Sequence, residues 1–341
     1  MISPSMPAAR FDHLERMTTP DGLFEHALLT APRRDHGYCL DDVSRGLVVA
    51  VREPDPSDSV TGMVASYLRF TVEAQDERGA FHNRRNTEGQ WTDTPSVDDH
   101  WGRALWAVGT ASSASDGAVR DTALAVASRG MQVRSPWPRA MAYAALGAAD
   151  VLRTVPGDPT AREMLVDART LLSRPRMAHG WPWPEPRLTY ANAVLPEALI
   201  AIGRALNDEA LLTHGLGLLR WLLDLQTRDG HLSVVPAGGM APGDERPGFD
   251  QQPIEVSALA EACWRAHEAT GDPRWIDGVH LCAEWFLGAN DVGLTLYDRA
   301  TGGCADGLHS TRINLNQGAE STLAALSTLQ LARRPALIVA R

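Results

Sequence analysis

Six short segments of this 341-residue chain concentrate groups able to move protons or hold hydroxyls. The first is His36-Gly37-Tyr38-Cys39-Leu40-Asp41-Asp42, with Arg45 one turn on, and the second is Asp98-Asp99-His100-Trp101-Gly102-Arg103. Trp137-Pro138-Arg139 and Tyr190-Ala191-Asn192 follow, the latter preceded by Trp183. The last two are Asp250-Gln251-Gln252 leading to Glu255, and Asn316-Gln317 leading to Glu320. Amides, carboxylates and guanidiniums pair with hydroxyls as acceptors and donors, and flat aromatic faces cover sugar C–H surfaces, so this mixture suits a carbohydrate. Asp41 and Asp98 serve equally well as helix N-caps. Capping does not explain Gln251, Gln252, Asn316 and Gln317 followed by a Glu further into a helix, because Gln is a poor cap.

Cleaving a glycosidic bond takes one protonated carboxyl on the leaving oxygen and one carboxylate as base or nucleophile. The acid should be the better shielded of the two, which favours a glutamate on a helix. The expected pair is Glu255 with Asp99, and Glu320 and Asp42 are the further catalytic candidates. Epimerising a free sugar instead needs two proton-transfer groups of near-neutral pKa, usually histidines, and His36, His100, His179 and His309 all fall in or beside loops.

Apolar residues recur at helical spacing through most of the chain, and alternating strand patterns are few, Leu232-Ser233-Val234-Val235 being the clearest. Punctuation by Asp, Ser, Pro and Gly predicts eleven helices, near 41–52, 59–76, 98–112, 116–131, 138–154, 159–173, 190–206, 208–227, 253–270, 273–288 and 316–333. They group into hairpins, each first helix preceded by a long polar loop and each pair joined by a short turn such as Gly271-Asp272-Pro273. Closing six hairpins into a ring puts the first helices inside and all the long loops at one mouth, which predicts an all-α (α/α)6 barrel. The sixth pair needs a helix from the N-terminus, expected over 23–30. An open α-solenoid is the competing arrangement. The reading is one domain over 1–341, with 1–20 and 334–341 loose.

Hydrophobic residues at 44% and charged residues at 22% are ordinary globular values. The net charge of −10, without a long basic run, disfavours nucleic acid. All 32 basic residues are arginine, which excludes a lysine Schiff base and a lysine-bearing phosphate loop. The four cysteines form no CxxC pair, so neither a zinc knuckle nor a disulfide framework is expected. No metal or organic cofactor is expected. No apolar run is long enough to cross a membrane and no signal core precedes Arg16, so the expected location is the cytoplasm. Oligomeric state is left open.

The segments HGYCLDD (36–42), GRALWAVG (102–109), WPWPEPRLTYANAVLPEAL (181–199), FDQQPIE (249–255), AEWFLGANDVGLTLYD (283–298) and NLNQGAESTLA (314–324) resemble bacterial proteins of the six-hairpin glycosidase-like superfamily. They are most similar to its poorly characterised branch attached to, or encoded beside, sugar glycosyltransferases, and the similarity runs from about Leu14 to Leu331. The resemblance implies an (α/α)6 toroid, a carbohydrate substrate and a functional link to a glycosyltransferase. It names no reaction, since the superfamily includes glycoside hydrolases, phosphorylases, polysaccharide lyases and sugar epimerases. Two motifs depart from the branch: Val43-Ser44 replaces Asn-Ala before Arg45, and Ala191 and Val194 replace an Asp and an Arg.

The leading expectation is a glycoside hydrolase using paired carboxylates. The alternatives are an epimerase or isomerase of the N-acylglucosamine or cellobiose epimerase type, a phosphorylase with phosphate held by Arg45, Arg103 and Arg139, or a non-catalytic carbohydrate-binding partner of a glycosyltransferase.

Overall fold

The computed structural model describes residues 6–173 and 180–334. His179 and the expected loose segment beyond Arg334 lie outside the described residues.

The eleven expected helices form, and a twelfth short one precedes them. In chain order they are α1 (Asp12–Met17), α2 (Leu40–Val51), α3 (Asp58–Ala74), α4 (Asp99–Ala114), α5 (Gly117–Gly130), α6 (Pro138–Thr154), α7 (Pro159–Leu172), α8 (Val194–Leu206), α9 (Glu209–Gln226), α10 (Pro253–Thr270), α11 (Arg274–Phe286) and α12 (Ala319–Arg333). Each even-numbered helix packs on its even-numbered neighbours, and α12 packs on α2, so these six close a ring. α4, α6 and α10 are buried on nearly every face, as helices enclosed by a second layer must be. The outer helices α3, α7 and α9 bury one stripe and leave the other side to water.

Local chemistry sets the ends. Ser57, Asp158 and Asp208 cap α3, α7 and α9 by accepting a backbone N–H with their side chains. Proline opens α6, α7 and α10, where its missing N–H removes no helical bond. Glycines let α4 and α6 touch backbone to backbone: a Cβ on Gly109 would stand 2.4 Å from the Gly147 carbonyl oxygen, and one on Gly147 would stand 2.1 Å from that of Leu105.

Four expectations are corrected. Residues 23–30 are not helical, but form short antiparallel pairings between Thr18–Thr19 and Gly22–Leu23 and between Ala27–Leu28 and Ala31–Pro32. The helix that completes the sixth pair is α1, packed on α12, so residues 11–17 are not loose: Leu14 and Met17 are fully buried. The helix expected from 190 starts at Val194, because Ala191 adopts a left-handed φ of 44° that breaks helical geometry. Of Leu232-Ser233-Val234-Val235 only Leu232 is in a strand, His231–Leu232, which pairs with Thr227–Arg228. No described helix is long and apolar enough to cross a membrane.

At the end of the ring where the inner helices finish, a belt of buried polar bonds joins all six. Arg52, beyond α2, donates to Glu261 of α10 at 2.5 Å, and Ser327 of α12 donates to the same carboxylate. Arg265 of α10 reaches Asp150 of α6 at 3.3 Å and Glu197 of α8 at 3.4 Å, and Thr110 of α4 donates to Asp150. Removing one partner of a buried ion pair leaves the other charged and desolvated, at a cost of about 3–5 kcal/mol. Glu261→Ala is therefore expected to lower the unfolding free energy by that amount in chemical denaturation, and a loss below about 1 kcal/mol would contradict a buried pair.

Candidate active site

The opposite end of the ring, where the inner helices begin, opens into a cavity of about 460 Å³. Its wall includes Asp41, Asp42 and Arg45 of α2, Asp99 and Arg103 of α4, Tyr190 and Gln252 before α8 and α10, and Glu320 of α12. These eight expected site residues are thus brought together. Below them a void of about 30 Å³ continues along the axis past Arg45, Trp106 and Tyr143 toward Glu197 and Glu261.

Two arginines organise the carboxylates. Arg45, buried, donates to Asp42 at 2.6 Å and to Glu320 at 2.8 Å, so one guanidinium spans the first and last inner helices. Arg103 donates to Asp41 at 2.6 Å and reaches Asp99 at 3.5 Å. The Tyr190 hydroxyl donates to Asp99 at 2.7 Å. Burial alone would raise the Asp41 carboxyl, but Arg103 and Arg45 outweigh it and hold it at about 2. For Asp42 burial wins: against the pull of Arg45, and helped by Glu320, Glu25 and Asp41, it pushes the carboxyl up to about 7. Adjacent aspartates on one helix are thereby driven apart, one ionised and one proton-holding near neutral pH.

Glu255 does not line the cavity. It is buried between α8 and α10 and accepts from the Asn192 backbone N–H at 3.4 Å and side-chain amide at 2.8 Å. Burial raises it to about 7 despite those bonds, and its Oε1 has no partner among the described residues. The role this geometry supports is holding the turn 190–192. Asn192 accepts from the Thr189 N–H, and Arg139 donates to the Tyr190 carbonyl while gripping Glu185 with two bonds of 2.9 and 3.0 Å. Arg139 and Asn192 thus act on the wall only through Tyr190.

Other expected site residues lie off the cavity wall. Trp101 is fully buried and donates to the Gly130 carbonyl, and Trp183 is fully buried with its ring stacked on Trp221. Tyr38 stacks on Phe24 and bonds Thr19 through its hydroxyl. His100 Nε2 lies 2.8 Å from the Phe81 carbonyl. Gln251 is buried and donates to Asp291. Asp250 stands beside Gly307 and His309, off the cavity wall. Asn316 accepts from the Leu29 N–H, and the Gln317 N–H donates to the Leu29 carbonyl, so both anchor a loop. Asp98 precedes α4 and accepts from Ser96 and from the indole of Trp137, which is 56% exposed and stands at the rim.

The wall also contains residues that sequence reasoning did not select: Glu25, His26, Cys39, Arg84, Asp306 and Ser321. Glu25 and His26 lie between the two N-terminal pairings, and Asp306 in the loop before α12. Cys39 and Ser321 adjoin chosen motifs, but the other four carry no periodic signal. Glu25, Cys39 and Asp42 bring possible ligand atoms within 4.8 Å of one another. Arg84 and Arg45 already bond the two carboxylates, which opposes a metal cation there.

No family model matches the chain, and no curated protein sequence matches it. The structure is similar to a cellobiose 2-epimerase from Bacillus thermoamylovorans, with a TM-score of 0.70 at 11% identity over 94% of this chain and 95% of that one. It is also similar to a sugar epimerase from a ruminal bacterium, at 0.68 and 13% over 95% of each chain. An alpha-amylase from Clostridium perfringens gives 0.63 at 10%, over 95% of this chain and 96% of that one. At these identities the likeness is one of fold, and the fold is the six-hairpin (α/α)6 toroid.

The raised carboxyls tie stability to pH. Asp42 and Glu255 release their protons near 4 when unfolded but near 7 when folded. Between those values only the folded state keeps the proton, so stability is fully present below about pH 4 and falls as pH rises toward 7. The expected slope is up to about 1.4 kcal/mol per pH unit for each group. Unfolding free energies measured across this window should fall with pH, and less steeply in Asp42→Asn; parallel profiles would contradict the assignment.

Proposed function

We propose that the protein is a carbohydrate-active enzyme, and that its reaction is glycoside hydrolysis with Asp42 as acid and Asp99 as base or nucleophile. The observation that carries this reading is the Asp42 carboxyl, kept protonated near neutral pH by burial on the wall of an open polar cavity. Asp99, on the neighbouring inner helix, is oriented by the Tyr190 hydroxyl and faces the same cavity. An acid donating to the glycosidic oxygen and a carboxylate receiving the proton of water, or attacking the anomeric carbon, complete the chemistry. The fold shared with an alpha-amylase and with sugar epimerases supports the substrate class.

A second reading, sugar epimerisation, draws on one further feature. His26 lines the cavity and meets the ring of His36 edge-on, with centroids 4.8 Å apart. The two stand side by side rather than across the cavity, whereas proton exchange at C2 needs groups flanking the carbon.

Incubating the protein with a panel of α- and β-linked disaccharides and free aldoses in D₂O, followed by NMR, separates the readings. Hydrolysis predicts new reducing-end anomeric signals, and epimerisation predicts deuterium at C2 of a free sugar. With a cleaved substrate in hand, Asp42→Asn and Asp99→Asn should each lower kcat by about 10²–10⁴-fold, while Glu255→Gln keeps most of the turnover. The wild-type rate should fall above about pH 7 as Asp42 loses its proton. Full turnover in Asp42→Asn would overturn the assignment.

A further inference from the structure

The charge balance of the mouth cavity goes a step further than the reading of a carbohydrate site, on which it rests. Its wall carries six carboxylates, those of Glu25, Asp41, Asp42, Asp99, Asp306 and Glu320, against three guanidiniums. Each guanidinium is already engaged: Arg45 with Asp42 and Glu320, Arg103 with Asp41 and Asp99, and Arg84 with Glu25. Asp306 pairs with no arginine among the described residues; it accepts the Gly318 N–H at 2.7 Å and a bond from the Ser321 side chain, lies within reach of His26, and stands close enough to Glu320 for the two to repel, so burial and that repulsion push its carboxyl up. Even with a proton on Asp42 the wall keeps a surplus of negative charge, and low-dielectric walls focus that field into the cavity. An anionic sugar, whether a phosphate or a uronate, meets repulsion, because among the described wall residues each guanidinium is already engaged and the His26 imidazole is the one further basic group. A neutral sugar leaves the surplus unbalanced.

A second observation points to the rest of the ligand. Arg103 is 5% exposed, lines the cavity, and its Nε has no partner among the described residues. A buried guanidinium N–H without an acceptor is costly, and a ligand hydroxyl oxygen can supply one.

We propose that the cavity takes an amino sugar with a free, unacetylated amine, its ammonium directed to Asp306 and Glu320 and a hydroxyl oxygen to Arg103. Neutral and acidic sugars are then discriminated by charge, and N-acetylation of the ligand removes the feature recognised.

Calorimetric titration of the whole protein, at pH 7 and low salt, tests this with the β-1,4-linked glucosamine disaccharide, its N-acetylated form, cellobiose and a uronate-containing disaccharide. The glucosamine disaccharide is expected to bind at least about tenfold more tightly than cellobiose, an advantage of about 1.4 kcal/mol, and the advantage should shrink as salt is raised. Asp306→Asn, which keeps an acceptor for the Gly318 N–H, and Glu320→Gln should each remove most of that preference, read as the ratio of glucosamine-disaccharide to cellobiose affinity in the same variant. Equal binding of glucosamine and neutral disaccharides would overturn the amino-sugar inference and leave the carbohydrate reading standing. A preference that survives in both variants would overturn the placement of the ammonium. Binding of none of the four sugars would overturn the carbohydrate reading of the cavity itself.

Discussion

The guanidinium of Arg45 is the constraint on which the site depends. It belongs to the first inner helix, and its second partner, Glu320, belongs to the last, so the bond lies across the seam where the ring closes. A buried cation must be compensated, and the neighbours that do so are two carboxylates facing the mouth. Burial of Asp42, with Glu320 sharing the same guanidinium, pushes the Asp42 carboxyl up to about 7. Ring closure and the raised Asp42 carboxyl are thus tied to the same contact.

Helix direction explains why the two ends of the ring differ. All six inner helices start at the mouth, and their N-terminal dipoles favour carboxylates there. Their C-termini meet at the other end, where Arg52, Arg153 and Arg334 stand close to the last turns. At that end the charges close into a belt that ties helix to helix. At the mouth the carboxylates outnumber the arginines and enclose space instead of one another. The same rule thus builds a brace at one end and a binding cavity at the other.

The repeating helical periodicity made the toroid legible in the sequence, because short turns inside hairpins and long loops between them leave few ways to arrange the pairs. The residues of the inner-helix starts, Asp41, Asp42, Arg45, Asp99, Arg103 and Glu320, were legible for the same reason. Which carboxylates face the cavity was not. Glu255 follows a motif-like run, yet a left-handed turn at Ala191 directs the backbone and amide of Asn192 onto it and seals it from the cavity. An Asp at position 191 would adopt that φ more readily than Ala. The tryptophans misled in the same way: Trp101 and Trp183 carry the residue type of a sugar platform, but only burial distinguishes core from platform, and they are core. Glu25, His26, Arg84 and Asp306 reach the wall from loops whose paths no local pattern encodes.

The central claim is that Asp42, and not its neighbour Asp41, holds a proton near neutral pH. A carbon-detected NMR titration of the aspartate carboxyls, with Asp42 assigned by its loss in Asp42→Asn, tests it directly. The account predicts a carboxyl at Asp42 that titrates near pH 7 beside one at Asp41 already ionised at pH 4. Titration of Asp42 near 4, like an ordinary surface aspartate, would contradict it.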